Sequence, residues 1–99
     1  MESYQVTCIN RPTRTSPHEH ITHIGNLAGK WRMTRERAIT EIGAMRMAFY
    51  TVDRTTGKRM NVEVIREPGK LPYLRTRADG KLNDNLLQQD DCDGTCKLV

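Results

Sequence analysis

Three histidines lie close together in the chain and are the most suggestive candidate metal ligands. His18, His20 and His23 fall within the sequence HEHITH, and neutral imidazole is a good ligand for zinc, nickel or copper. In a β-strand His18 and His20 would share a face and His23 would not, and no fourth ligand follows at a recognisable spacing. We therefore favour a structural or surface role for the histidines, with a metal site, pH sensing and acid–base chemistry as alternatives.

The cysteines offer a second candidate metal site. Three residues lie between Cys92 and Cys96, one more than in the tight knuckle of most zinc ribbons. Zinc would need two further ligands, and Cys8 with one of the histidines could supply them. Because three cysteines do not make a disulfide framework, inert or adventitiously oxidised thiols are the favoured interpretation.

No catalytic constellation accompanies these side chains. Ser16 with His18, or Cys8 with a histidine, could be written as a nucleophile and base, but no nucleophile elbow or Gly-rich oxyanion loop is present. The sequence therefore argues against an enzyme, and we expect no cofactor.

A stripe of arginine and tyrosine is the best candidate binding surface. Tyr73, Arg75 and Arg77 alternate along a predicted strand and would share an exposed face. Arginine binds phosphate through a planar fork, and tyrosine can stack on a base. A solvated strand face is the alternative. The candidate nucleic-acid-binding residues are Arg11, Arg14, Tyr73, Arg75 and Arg77.

Charge is distributed unevenly along the chain. Residues 11–77 hold 14 of the 16 Lys and Arg residues but six of the 12 Asp and Glu residues, a balance of +8. Residues 78–99 hold five acids and two lysines, a balance of −3. A basic body favours nucleic acid or an acidic protein as the partner.

One segment has helical periodicity, and the elements around it must position the candidate residues. We predict a helix over Trp31–Met45, with Thr34 as its N-cap. Ala38, Ile39 and Ile42 would form the apolar stripe that packs on a sheet.

Alternating apolar and polar residues predict strands on either side of this helix. These segments are Tyr4–Ile9, His20–Ile24, Met47–Asp53, Met60–Arg66 and Leu71–Arg77. Short glycine-containing connections between the last three predict an antiparallel meander. We therefore expect an α+β fold, with an antiparallel sheet of four or five strands and the main helix packed on one face.

The length of 99 residues predicts one small domain, over residues 1–89, followed by an acidic, flexible tail over residues 90–99. No apolar run approaches the roughly 20 residues that span a bilayer, and the first ten residues lack the pattern of a signal peptide. We expect a cytoplasmic protein that does not bind membranes, and leave the oligomeric state open.

Five stretches together resemble a family of small, uncharacterised bacterial and phage-associated domains. The stretches are SPHEHITHIG (residues 16–25), FY (49–50), YLRT (73–76), ADG (78–80) and DNLL (84–87). The resemblance covers nearly the whole chain and implies one domain with few insertions. It implies no activity, cofactor or site, because the family is a domain of unknown function.

The favoured hypothesis is a small non-enzymatic module that binds nucleic acid through a basic sheet face. The first alternative is a protein-interaction or inhibitor domain of phage-related type, and the second is a metal-binding domain that uses the histidine cluster.

Overall fold

A computed structural model describes residues 2–99; Met1, which the predicted domain includes, lies outside them. Within residues 2–99 the chain forms ten strands, one α-helix and two 3₁₀ helices. The strands are β1 (Glu2–Gln5), β2 (Cys8–Asn10), β3 (His23–Asn26), β4 (Trp31–Thr34), β5 (Met47–Val52), β6 (Arg59–Ile65), β7 (Tyr73–Ala78), β8 (Lys81–Asn83), β9 (Asp90–Asp91) and β10 (Lys97–Leu98). Helix α1 spans Arg35–Gly43, and the 3₁₀ helices span His18–His20 and Asn85–Gln88.

The strands form two mixed sheets rather than the single antiparallel sheet that we expected. Sheet A has the order β1-β5-β6-β7-β8, and its last four strands are the predicted antiparallel meander extended by β8. Strand β1 pairs with β5 in parallel. The fold class is α+β, mostly β, because one helix accompanies all of these strands.

The predicted first strand is divided between the two sheets. Val6 donates to Tyr50 in sheet A at 2.7 Å, whereas Thr7 donates to Gly25 in sheet B at 2.9 Å. The chain therefore passes from one sheet to the other between these two residues. Sheet B has the order β10-β4-β3-β2-β9, with β2, β3 and β4 antiparallel and both outer strands parallel to their neighbours.

The predicted helix begins four residues too early. Trp31–Thr34 is strand β4, because Trp31 and Met33 alternate with Arg32 and Thr34 and Met33 pairs with Ile24. The helix itself begins at Arg35, and the Thr34 hydroxyl accepts from the amide of Arg37 at 3.1 Å. The predicted N-cap is thus confirmed, although it ends a strand as well as starting a helix.

Residues 90–99, expected to be a flexible tail, contain β9 and β10. These strands form the two opposite edges of sheet B although five residues separate them. Five residues with a turn among them reach less than about 20 Å, roughly the width of a flat five-stranded sheet. Sheet B must therefore curl. A disulfide bond between Cys8 of β2 and Cys92, which the sequence analysis did not predict, holds this segment.

The core lies between the sheets and α1. Fully buried side chains come from both sheets and from their connections, among them Val6, Ile9, Ile24, Phe49 and Leu74. Helix α1 contacts strands of both sheets and buries Ala38 completely. Ile39 and Ile42 pack against the core while remaining partly exposed. One helix therefore closes the space that the two sheets leave open.

Candidate functional site

The predicted stripe on β7 lies on one face, but its aromatic member is not available to a ligand. Leu74 and Thr76 are fully buried, which places Arg75 and Arg77 on the opposite face of sheet A. Tyr73 is only 4% exposed, and its hydroxyl donates to Glu67 at 3.0 Å. Burial, followed by this hydrogen bond, raises the pKa of Tyr73. Tyr73 is therefore part of the packing, and a base cannot stack on it.

The four candidate arginines bond to the protein's own oxygen atoms. Arg11 donates to the carbonyl groups of Ser16 and Leu87, whereas Arg14 forms an ion pair with Asp91 at 2.9 Å. In sheet A, Arg75 bonds to the carboxylate of Asp84 and Arg77 bonds to that of Glu63, each at 3.0 Å. Each of the four arginines therefore already has a partner within the protein, a carboxylate for Arg14, Arg75 and Arg77 and carbonyl groups for Arg11.

The histidines occupy separate environments. His18 is buried, with its Nε2 atom 3.8 Å from Asp84. Burial and the nearby Arg75 guanidinium lower the pKa of His18, so the imidazole is predominantly neutral at pH 7. The pKa of His23 is also lowered, first by burial and then by Arg32, while His20 is exposed. Within residues 2–99 the group with the spacing of metal ligands is Cys8, Cys92 and Cys96, and no histidine joins it.

An apolar groove of about 280 Å³ lies between the edge of sheet A and the β4–β10 side of sheet B. The groove is lined by Tyr4, Trp31, Met33, Arg37, Met47 and Val99. Three aromatic rings support it: the centroids of Tyr4, Trp31 and Phe49 lie 6.1–6.3 Å apart in edge-on and tilted arrangements. The floor is therefore apolar and largely aromatic.

One cation lines this groove, and a second lies on the strand beside it. Arg37 projects from the first turn of α1, and Lys97 pairs with Trp31 across β10 and β4. Because alternate residues of a strand share a face, Lys97 projects from the same face as Val99. Neither side chain forms an ion pair within residues 2–99. An apolar floor beside two free positive charges suits an anionic ligand with an apolar group.

The groove was not predicted from the sequence, because the residue pattern placed Trp31 in a helix. Trp31 lies on β4, Tyr4 on β1 and Met47 on β5, so their meeting depends on how the two sheets pack. The available signal was the alternation of residues 31–34, which is typical of a strand.

A second surface lies on the outer face of sheet A, the face turned away from the core. It carries Tyr50, Arg59, Asn61, Glu63, Arg75 and Arg77. The guanidinium carbon of Arg59 lies 3.6 Å above the centroid of the Tyr50 ring, a cation–π contact. Arg59 is exposed and forms no ion pair within residues 2–99. This pair is a flat, cationic stacking surface that the sequence analysis did not identify.

These features define a small, mostly β, α+β domain with an apolar groove beside Trp31 and a polar outer face on sheet A. A model of the family described as "Protein of unknown function (DUF3892)" matches residues 5–88, and the chain belongs to that family. The match ends before β9, so Cys92, Cys96 and β10 lie outside it. Comparison with curated proteins and with solved structures gives no match. Within residues 2–99 the helices are too short or too polar to cross a membrane.

Proposed function

We propose that this domain is a small non-enzymatic binding module whose apolar groove accepts an apolar side chain from an acidic segment of a protein partner. The observation that carries the proposal is the combination of the groove around Trp31 with the free cations Arg37 and Lys97. At about 280 Å³ the groove lies just below the range of about 300–1,000 Å³ typical of small-molecule sites. One or two side chains of a peptide would fill it.

The edge of sheet B supports an extended binding mode. Strand β10 is an outer strand, so its far edge has no strand neighbour within residues 2–99. An extended peptide can add to such an edge through main-chain hydrogen bonds and direct alternate side chains to one face. The groove face would then receive the apolar side chain, and the acidic neighbours would lie near Arg37 and Lys97.

Intrinsic fluorescence offers a direct test, because Trp31 is the single tryptophan of the chain. The probes are synthetic pentapeptides with a central Leu or Phe between pairs of Glu, compared with a central Gly between Glu pairs and a central Leu between Lys pairs. We expect the acidic Leu and Phe peptides to shift the emission of Trp31. The Gly and Lys peptides should produce little change.

A charge-reversal pair tests the cationic edge. Arg37→Glu should weaken binding of the acidic Leu peptide by about fivefold or more, because attraction is replaced by repulsion. Arg66→Glu is the matched control, since Arg66 is also exposed, also free of ion pairs within residues 2–99 and not part of the groove. Equal effects of the two substitutions, or equal binding of Leu and Gly peptides, would contradict the proposal.

The stacked pair Arg59 and Tyr50 favours a second candidate, binding of single-stranded nucleic acid across the outer face of sheet A. Arginine planes and aromatic rings both stack on bases. We expect weak binding of single-stranded RNA or DNA that declines about tenfold or more between roughly 50 and 200 mM salt. Arg59→Ala should reduce the salt slope by about one contact, and Trp31 emission should not change. No binding at ~50 mM salt would remove this candidate.

A further inference from the structure

The back face of sheet B, opposite the core, carries a cluster of three cysteines. Ile9, Ile24 and Met33 are paired neighbours on the core face. Because side chains alternate along a strand, Cys8, Gly25 and Arg32 are paired neighbours on the back face. The segment after β9 brings two more cysteines to this face. The sulfur atoms of Cys8, Cys92 and Cys96 all lie within 4.8 Å of one another.

This cluster is shielded from solvent. Cys8 is fully buried, Cys96 is 5% exposed and Cys92 is partly buried. Two of the sulfurs form the Cys8–Cys92 disulfide, and Cys96 holds a free thiol beside it. Three sulfur atoms at these distances could bind one metal ion together, which a single cysteine could not do.

A positive charge shares the same face. Arg32 extends past Gly25, which has no side chain, and donates to the Asn10 side chain at 3.4 Å. Asn10 in turn donates to the carbonyl of Cys92 at 3.1 Å. The Nε atom of Arg32 is buried and has no hydrogen-bond partner. An unsatisfied cationic donor on a buried face favours an anion nearby, and three thiolates around a monovalent metal would be such an anion.

We propose that Cys8, Cys92 and Cys96, once reduced, bind one Cu(I) ion as a three-thiolate site. Thiolate ligands select soft ions such as Cu(I) and Zn(II). Structural zinc is almost always bound by four ligands, and within residues 2–99 no fourth His, Cys, Asp or Glu joins this group. A set of three sulfurs therefore suits Cu(I) better than Zn(II). This ligand set also differs from the histidine-containing sites considered from the sequence.

The disulfide makes the site dependent on redox state. Reduction of the Cys8–Cys92 bond by a dithiol takes two electrons and two protons, yields two thiols and leaves the reductant as a disulfide. Binding of Cu(I) then releases three protons as the three thiols become thiolates. The oxidised protein retains one thiol and lacks the site. Copper and the disulfide therefore exclude each other.

The test is a Cu(I) competition experiment on the full chain under nitrogen. The protein is reduced with dithiothreitol, freed of it, and titrated into the coloured Cu(I) complex of bicinchoninate. We expect the reduced wild type to withdraw one Cu(I) per chain and the oxidised wild type to withdraw essentially none. X-ray absorption of the loaded protein should show three sulfur neighbours and no nitrogen.

Two variants separate this site from adventitious thiol binding. Cys96→Ser retains the disulfide pair, so a thermal melt of its oxidised form verifies folding. Its reduced form should bind Cu(I) at least about 100-fold more weakly than the reduced wild type, because even changes outside the ligand set lower metal affinity by about 10–100-fold. Arg32→Gln should weaken binding by about tenfold. Equal Cu(I) binding by wild type and Cys96→Ser, copper uptake by the oxidised protein, or a preference for Zn(II) over Cu(I) would each overturn the proposal.

Discussion

The disulfide between Cys8 and Cys92 should be a major contributor to stability, and its removal can be measured cleanly. The bond joins residues 84 apart in the chain. In the chain-entropy treatment, closing a loop of this size lowers the entropy of the unfolded state by an amount worth about 4.5 kcal/mol at 25 °C. Native disulfides usually contribute about 2–4 kcal/mol. Small domains have a total stability of about 5–15 kcal/mol, so loss of the bond would remove a large part of it.

The comparison must prevent Cys96 from forming a replacement bond. We therefore compare Cys96→Ser, which keeps the disulfide, with Cys92→Ser combined with Cys96→Ser, which cannot form one. Urea unfolding followed by circular dichroism should show a loss of about 2–4 kcal/mol in the free energy of unfolding. The denaturant slope should rise, because an unlinked unfolded chain exposes more surface.

Two results would refute this reasoning. A difference under ~1 kcal/mol between the single and the double variant would mean that the bond does not restrict the unfolded chain as proposed. No loss on adding dithiothreitol to Cys96→Ser, whose bond it reduces, would also refute it, and the double variant, which has no bond to reduce, controls for other effects of the reductant.

Three further substitutions test the packing. Leu74→Ala should cost about 2–5 kcal/mol in unfolding free energy and Ile39→Ala about 1–2 kcal/mol, because Leu74 is fully buried and Ile39 is partly exposed. Gly25→Ala should lower the melting temperature, because its Cβ would lie 2.4 Å from the carbonyl oxygen of Trp31. A further substitution tests pH dependence: the pKa of His18 is lowered in the folded state, so the unfolded chain binds the proton more readily. The free energy of unfolding should therefore decline as the pH falls below about 6.5. His18→Gln should reduce that decline, as measured by thermal melts at several pH values.

Local signals in the sequence predicted the elements that depend on nearby residues. Interactions between residues close in the chain determine the Thr34 N-cap and the first turn of α1 after it. They also determine the hairpins of sheet A. Gly69, in the short connection between β6 and β7, is a further example, because it has a positive φ of 76°, which glycine adopts without steric cost. Side-chain periodicity and turn chemistry were sufficient there because each operates over a few residues.

Trp31 shows where local reasoning is insufficient. Residues 31–33 directly precede the N-cap Thr34, and Trp31 lies at helical spacing from Ala38, which is why the pattern predicts a longer helix. Pairing of Met33 with Ile24 and of Trp31 with Lys97 instead fixes these residues in a strand. Pairing with neighbouring strands thus outweighed the local helical preference. Trp31 consequently lines the groove instead of standing at the start of a helix.

The exposure predicted for Tyr73 on β7 was wrong for a related reason. Alternation correctly assigned Tyr73, Arg75 and Arg77 to one face, but it carries no information on what covers that face. The 3₁₀ helix His18–His20 contacts β7, and Glu67 accepts from the Tyr73 hydroxyl. The tyrosine is consequently buried at the end of the strand, while Arg77 remains partly exposed further along. The aromatic surface of sheet A belongs to Tyr50 instead, two strands away.

The cysteine cluster depends on the longest-range feature of all. Its members come from β2 and from a segment more than 80 residues later, and they meet because the chain after β9 crosses a curled sheet to reach its other edge. Neither the number of cysteines nor the spacing of Cys92 and Cys96 predicts this course of the chain. The family match ends at residue 88, so the segment that brings Cys92 and Cys96 to Cys8 lies outside the matched residues. That segment supplies both β10 and two of the three sulfurs, so the stability of sheet B depends on the redox state of the cysteines. In the oxidised chain the disulfide holds the segment that contains β9 and β10 against β2. In the reduced chain a bound Cu(I) ion would hold the same segment in place.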